Sequence, residues 1–99
     1  MLKYKIKEIT QKAIETAYPK AEDIKFVVES ADPKFGDYST NVAMIIGKAI
    51  GEKPLDIANR IAKQLNNKEL FETVEVAKPG FINFKIALPY LQNQILEII

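Results

Sequence analysis

The segment spanning residues 78–85 constrains the fold most, because Lys-Pro-Gly-Phe-Ile-Asn-Phe-Lys has the period of a strand after a turn. Side chains along a strand point alternately to opposite faces of the sheet. One face is therefore apolar and suited to burial: it carries Ile82, Phe84 and Ile86. The opposite face carries a phenyl ring, a carboxamide and an ammonium group, those of Phe81, Asn83 and Lys85.

This polar row has two interpretations. A ring can stack on a nucleobase, a carboxamide can hydrogen-bond a base edge, and an ammonium group can meet a phosphate. The row therefore suits the recognition of one unstacked nucleotide. It is also compatible with the half-exposed face of an ordinary sheet, where single aromatic residues are common.

Residues 71–86 predict a β-hairpin around Lys78-Pro79-Gly80, and the register decides the length of its loop. A two-residue loop would place Val76 opposite Asn83 and mix apolar with polar side chains on one face. A three-residue loop keeps the faces separate, with the pairs Val76–Ile82, Val74–Phe84, Glu75–Asn83 and Ala77–Phe81. We therefore expect three loop residues, with Gly80 in the left-handed conformation.

The remaining segments predict helices and one further strand. Apolar residues at helical spacing run from Leu2 to Ala17. Ile24, Phe26 and Val28 alternate with Lys25 and Glu29 as in a half-buried strand. A second helix is expected from Val42, capped by Asp37, Ser39 or Thr40 and closed by Gly51. A third begins at Pro54 and ends at Asn66-Asn67, and a last one begins at Pro89.

This order of elements implies an α+β fold in two layers, with helices packed on one face of a small antiparallel sheet.

The loop Phe35–Asn41 also has two interpretations. It could offer the N–H groups of a helix N-terminus and its hydroxyls to a phosphate or another domain. Its residues equally supply a glycine turn and a helix cap, with Tyr38 packed against the core.

Composition excludes several classes of function. The 99 residues suit a single domain, and they contain no Cys and no His. Zinc sites of the usual kind, thiol chemistry and an imidazole base are therefore absent from this sequence. The net charge of +1 argues against tight, self-sufficient nucleic-acid binding. No signal peptide or membrane span is visible, so we expect a cytoplasmic protein.

Three motifs, taken together in this order, resemble the N-terminal additional domain of arginyl-tRNA synthetases. They are Phe35-Gly-Asp-Tyr-Ser-Thr-Asn-Val-Ala-Met44, Lys53-Pro-Leu-Asp-Ile-Ala58, and Val74-Glu-Val-Ala-Lys-Pro-Gly-Phe-Ile-Asn-Phe84. The resemblance implies an appendage that precedes a class I catalytic domain and contacts the outer corner of tRNA at the D loop. Phe81 and Asn83 match the residues that contact an unpaired D-loop base in that family. Some members carry Tyr at the aromatic position, so Phe81 keeps the stacking ring but lacks a hydroxyl.

The expected function is therefore tRNA recognition by Phe81, Asn83 and Lys85 within an arginine–tRNA ligase. The sequence contains no His-Ile-Gly-His-like motif and no lysine-serine loop, so we expect no catalytic site, metal or cofactor in these residues. ATP use would belong to the rest of the parent enzyme. The uncapped ending Ile98-Ile99 suggests a chain cut at a domain boundary, and we expect a monomer. The alternative is a free-standing protein-interaction module that uses the same open sheet face.

Overall fold

A computed structural model of the protein describes residues 2–21 and 24–88. Three helices lie in this part of the chain: α1 (Leu2–Ala17), α2 (Val42–Ile50) and α3 (Pro54–Ala62). Four strands form one antiparallel sheet in the order β1-β2-β4-β3: β1 (Glu29–Ser30), β2 (Tyr38–Thr40), β3 (Phe71–Ala77) and β4 (Phe81–Ile86). The predicted two-layer α+β fold is confirmed, and the helix predicted from Pro89 lies outside the described residues.

The helix boundaries follow from local chemistry. Gly51 closes α2 in the left-handed conformation (φ 73°), with its N–H bonded to the carbonyl of Gly47 at 2.8 Å. Pro54 starts α3, as predicted for a residue that has no N–H to satisfy. At the start of α2 the hydroxyl of Thr40 accepts the N–H of Val42 at 3.2 Å, whereas Asn41 makes no side-chain cap. Of the three predicted caps, only Thr40 makes this bond.

Two predicted elements are shorter than expected. The strand expected from Ile24 is regular only at Glu29–Ser30, because the hydroxyl of Thr40 bonds the carbonyl of Val27 in place of a ladder partner. The predicted alternation still holds, since Phe26 and Val28 are buried. Helix α3 ends at Ala62 and not at Asn66, because the N–H groups of Gln64 and Leu65 bond carbonyls three residues back, those of Ile61 and Ala62. Leu65 is nevertheless buried beyond that end.

The hairpin has the predicted register. Ala77 pairs with Phe81, Val76 with Ile82 and Glu75 with Asn83, so the loop has three residues. The conformation predicted for Gly80 is wrong, because Gly36 and Gly51 are the glycines with positive φ in the described residues. Gly80 is buried against α3 instead, and a Cβ atom there would lie 2.7 Å from Cβ of Pro54. Glycine is needed for this close approach, and the preceding Lys78–Pro79 peptide bond is cis.

The core lies between the helices and the inner face of β4. Ile82 and Phe84 are fully buried, and the Phe84 ring lies 5.1 Å from the ring of Phe71 on β3 (centroid to centroid). The helices supply buried side chains at the predicted spacings: Ile6, Ile14, Val42, Ile46, Ile57 and Ile61. The inner face of the sheet is therefore covered, and the side chains of its outer face remain available to a partner.

Candidate nucleic-acid interface

The three predicted site residues lie on the outer face of β4, as the alternation requires. Phe81 is the first residue of this strand, directly after the loop, and 37% of its surface is exposed. Lys85 is exposed near the other end of the strand. Asn83 lies between them, flanked across the sheet by Ser39 of β2 and Glu75 of β3.

Asn83 is more enclosed than its outward position suggests. Only 7% of its surface is exposed, because β4 has a neighbouring strand on each side. Its carboxamide makes no hydrogen bond to any of the described residues. A partly enclosed amide normally finds partners for its donor and acceptor atoms. Among the described residues, the Asn83 carboxamide is therefore an enclosed polar group without a protein partner.

Phe81 and Asn83 line one groove of about 390 Å³, which we call the Phe81 groove. This volume lies in the range of about 300–1,000 Å³ that is typical of small-ligand sites. Lys78 supplies a cation at the hairpin loop, and Glu29 and Asp32 supply carboxylates on the far side. The remaining lining residues are Ser30, Ala31, Phe35, Ser39 and Ala77.

Lys85 lies in a neighbouring groove of about 400 Å³, which we call the Lys85 groove. Its ammonium group forms an ion pair with Glu72 at 3.0 Å. The hydrogen bond and charge of Glu72 raise the pKa of Lys85 above its ordinary value, so the cationic form is favoured. Asp37 and Glu75 also line this groove. The structure thus brings Phe81 and Asn83 together and places Lys85 beside carboxylates in the next groove.

Sequence reasoning missed Phe35, whose ring is 58% exposed and lines both grooves. The signal was an aromatic residue directly before Gly36 in a polar loop. Neither interpretation of that loop, a helix N-terminus that binds a phosphate or another domain or a glycine turn with a helix cap, gave a role to the phenyl ring. Lys78 was assigned only to the hairpin loop, and its place beside the Phe81 groove follows from the hairpin register.

Hydrogen bonds fix the loop that carries Phe35. The N–H groups of Lys34 and Phe35 bond Asp32, at 2.9 Å to its carboxylate and 2.8 Å to its carbonyl. Asp37 then ties the end of the loop to β4, because its N–H donates to Phe84 and its carboxylate accepts from Ile86, both at 2.8 Å. Asp37 therefore anchors the loop to the sheet, and the prediction that it could cap α2 is wrong.

Residues 2–86 match the family model described as the arginyl tRNA synthetase N terminal domain. The chain belongs to this family. The resemblance drawn from the three motifs is confirmed, and it extends over both the helical layer and the sheet. Within the residues that the structure describes, no helix is long and apolar enough to cross a membrane.

Curated and solved relatives of this arginyl-tRNA synthetase domain agree with the assignment. The arginine–tRNA ligase of a Nostoc species is 38% identical over 97 residues, which are 98% of this chain and 16% of that protein. A Plasmodium falciparum arginyl-tRNA synthetase structure is 30% identical, with a TM-score of 0.85 over 94% of this chain and 17% of its own. The Thermus thermophilus arginyl-tRNA synthetase, 23% identical, shares the fold with a TM-score of 0.78.

The chain spans only a small part of these relatives. It covers 16% of the Nostoc ligase and 15% of the Mycoplasma mobile ligase, to which it is 39% identical over 82 residues. The family therefore assigns these residues to an N-terminal domain.

Proposed function

We propose that this chain is the tRNA-recognition domain of an arginine–tRNA ligase, and that it contacts an unpaired base in the D loop of the tRNA. One observation carries the proposal: Phe81 and Asn83 line the same groove on the sheet face that the helices leave uncovered. The parent enzyme would attach arginine to tRNA with ATP, in a catalytic domain that follows these residues. The domain would act in the cytoplasm as part of a monomer.

In this proposal Phe81 stacks on the base and Asn83 bonds its edge. Stacking of a base on an aromatic side chain contributes about 1–3 kcal/mol to binding, and every base has a face that can stack. The carboxamide adds discrimination because its donor and acceptor must match the base edge. That the Asn83 amide has no partner among the described residues supports this role, since a ligand would not have to break an internal bond.

Lys85 has a secondary role in this proposal. Its ion pair with Glu72 is exposed, and such pairs contribute little to stability and exchange readily. A phosphate that reaches the Lys85 groove would compete with Glu72 for the ammonium group. We therefore assign the larger share of RNA affinity to Phe81 and Asn83.

The test compares tRNA binding by variants of the full-length protein. Phe81→Ala should weaken binding by about 1–3 kcal/mol, because it removes the stack. Asn83→Ala should cost less and relax the preference among D-loop bases, because it removes only an edge contact. Dissociation constants are measured with tRNA that carries or lacks each unpaired D-loop base.

Matched controls come from the helices. Tyr4→Ala removes an aromatic ring that is 65% exposed on α1, and Asn59→Ala removes an exposed carboxamide on α3. Both should leave tRNA binding unchanged. Unchanged tRNA binding in Phe81→Ala and Asn83→Ala would overturn the proposal. Loss of a protein partner in these variants, with tRNA binding intact, would favour the interaction-module alternative.

A further inference from the structure

We propose that Phe35 is a second base-contacting residue, and that its ring and the ring of Phe81 hold the same unpaired base between them. This inference rests on the proposed function and adds a residue to its site. Its starting point is the exposure of the ring: 58% of the surface of Phe35 is accessible, more than that of Phe81. The ring also lines both grooves, and pockets that bind small ligands are typically lined by aromatic side chains with a few polar groups among them.

The sheet register separates the backbone positions that carry the two rings along β4. Phe81 begins β4, whereas Gly36, next to Phe35, packs against the carbonyl of Phe84 three residues further along. Three residues of strand span about 10 Å. A base in van der Waals contact with a ring on each side needs about 7–8 Å between the rings. The separation of the two backbone positions is thus sufficient for one base.

Asn83 lies between these positions on β4. It is two residues after Phe81 on the same strand, and it lines the same groove as both rings. A base held between the rings would therefore present its edge to the carboxamide. One occupant would satisfy all three side chains, which is the main reason to assign the rings to a single base.

The backbone at Phe35 is preorganised for this role. Asp32 bonds the two N–H groups before and at Phe35, and Asp37 bonds β4 directly after Gly36. Gly36 has a φ of 128°, and a Cβ atom there would lie 2.7 Å from the carbonyl oxygen of Phe84. The loop is therefore held against the strand that carries Asn83. An aromatic side chain on a fixed backbone loses less entropy on binding than one on a mobile loop.

The experiment measures tRNA affinity of the full-length protein with Phe35→Ala and Phe35→Leu. The leucine variant keeps an apolar side chain of similar size without a flat ring. It therefore shows whether a loss of binding comes from the missing ring or from misfolding. We expect each change to weaken binding about 5- to 150-fold, the loss expected for one base–aromatic stack. Tyr4→Ala is the matched control, because its ring is exposed on α1, away from both grooves. Thermal melts should show the same stability for all variants.

The decisive measurement is whether Phe35 and Phe81 act on one base. A set of tRNAs is used, each abasic at one unpaired D-loop nucleotide. The abasic position that abolishes the effect of Phe81→Ala should also abolish the effect of Phe35→Ala. The double variant should lose less affinity than the product of the two single losses, since the residues share a ligand.

Other outcomes overturn the inference in distinguishable ways. If Phe81→Ala weakens binding and Phe35→Ala does not, Phe35 is not part of the site and the proposed function stands. If Phe35→Ala weakens binding equally with the abasic tRNA, its contact is elsewhere on the RNA. If neither variant weakens binding, the proposed function fails together with this inference.

Discussion

Glycine is needed at position 80 for close packing and not for the turn conformation that the sequence predicted. The turn suggested a left-handed glycine, but the backbone of Gly80 is not in that region. The constraint is the approach of α3 and α2, since a Cβ atom at Gly80 would lie 2.7 Å from Cβ of Pro54 on α3 and 3.2 Å from Cγ of Met44 on α2. The hairpin loop therefore packs on the helical layer directly beside Phe81. This contact helps to position the candidate interface.

Gly80→Ala should lower the free energy of unfolding by about 1–3 kcal/mol, because the added methyl group overpacks a closed contact. Gly51→Ala should lower the free energy of unfolding by about 1 kcal/mol because of backbone strain, since Gly51 has a φ of 73° but open space around it. Asparagine distinguishes backbone strain from overpacking, because it tolerates the left-handed conformation. Gly51→Asn should recover most of the loss, whereas Gly80→Asn should be at least as harmful as Gly80→Ala. Denaturant titrations measure these differences, and a neutral Gly80→Ala would contradict the packing argument.

Alternate residues of strand β4 have different roles: one set packs in the core, and the other set forms the proposed site. Its inner side chains are buried, and its outer side chains border the two grooves. The sequence predicted this division, the hairpin register and the three-residue loop, because each depends on the period of a strand and on neighbouring strands. These features are local, so composition and spacing are sufficient to predict them.

Features that depend on distant segments were not predictable. The enclosure of Asn83 requires β2 on one side and β3 on the other. Glu72, the partner of Lys85, lies at a register shift between Phe71 and Thr73 of β3, which strand alternation does not predict. The place of Phe35 depends on bonds between its loop and β4, 49 residues apart in the case of Asp37 and Ile86. Alternation predicts which face a side chain occupies. It does not predict which neighbours cover that face.

Phe84→Ala should lower the free energy of unfolding by about 3–5 kcal/mol, because it empties a fully buried ring site against Phe71. Phe81→Ala should cost about 1 kcal/mol or less, since its ring is partly exposed. Asn83→Ala should have a similarly small effect, because its carboxamide has no hydrogen-bond partner among the described residues. Urea unfolding of the three variants tests the assignment of faces. A large loss of stability in Phe81→Ala together with a small loss of stability in Phe84→Ala would mean that the two faces are assigned the wrong way round.

At the scale of the whole molecule, charge sets the kind of RNA contact that this domain can make. Its net charge is +1, and carboxylates line both grooves beside the lysines. Carboxylates repel phosphates, so strong electrostatic binding of the RNA backbone is unfavourable at these grooves. Base contacts by rings and an amide do not depend on net charge. Under the proposed function, this domain would recognise a base, and the phosphate contacts would be made elsewhere in the parent protein.

The salt dependence of tRNA binding by the full-length protein tests this division. Phe81→Ala should lower affinity by the same factor at every salt concentration, because stacking releases no counterions. Lys78→Ala removes the cation that lines the Phe81 groove. If that cation meets a phosphate of the unpaired loop, the slope of log K against log salt should become shallower by about 0.7. Dissociation constants at several salt concentrations give both slopes. A changed slope in Phe81→Ala would mean that its loss disturbs phosphate contacts, and an unchanged slope in Lys78→Ala would place that lysine away from the RNA backbone.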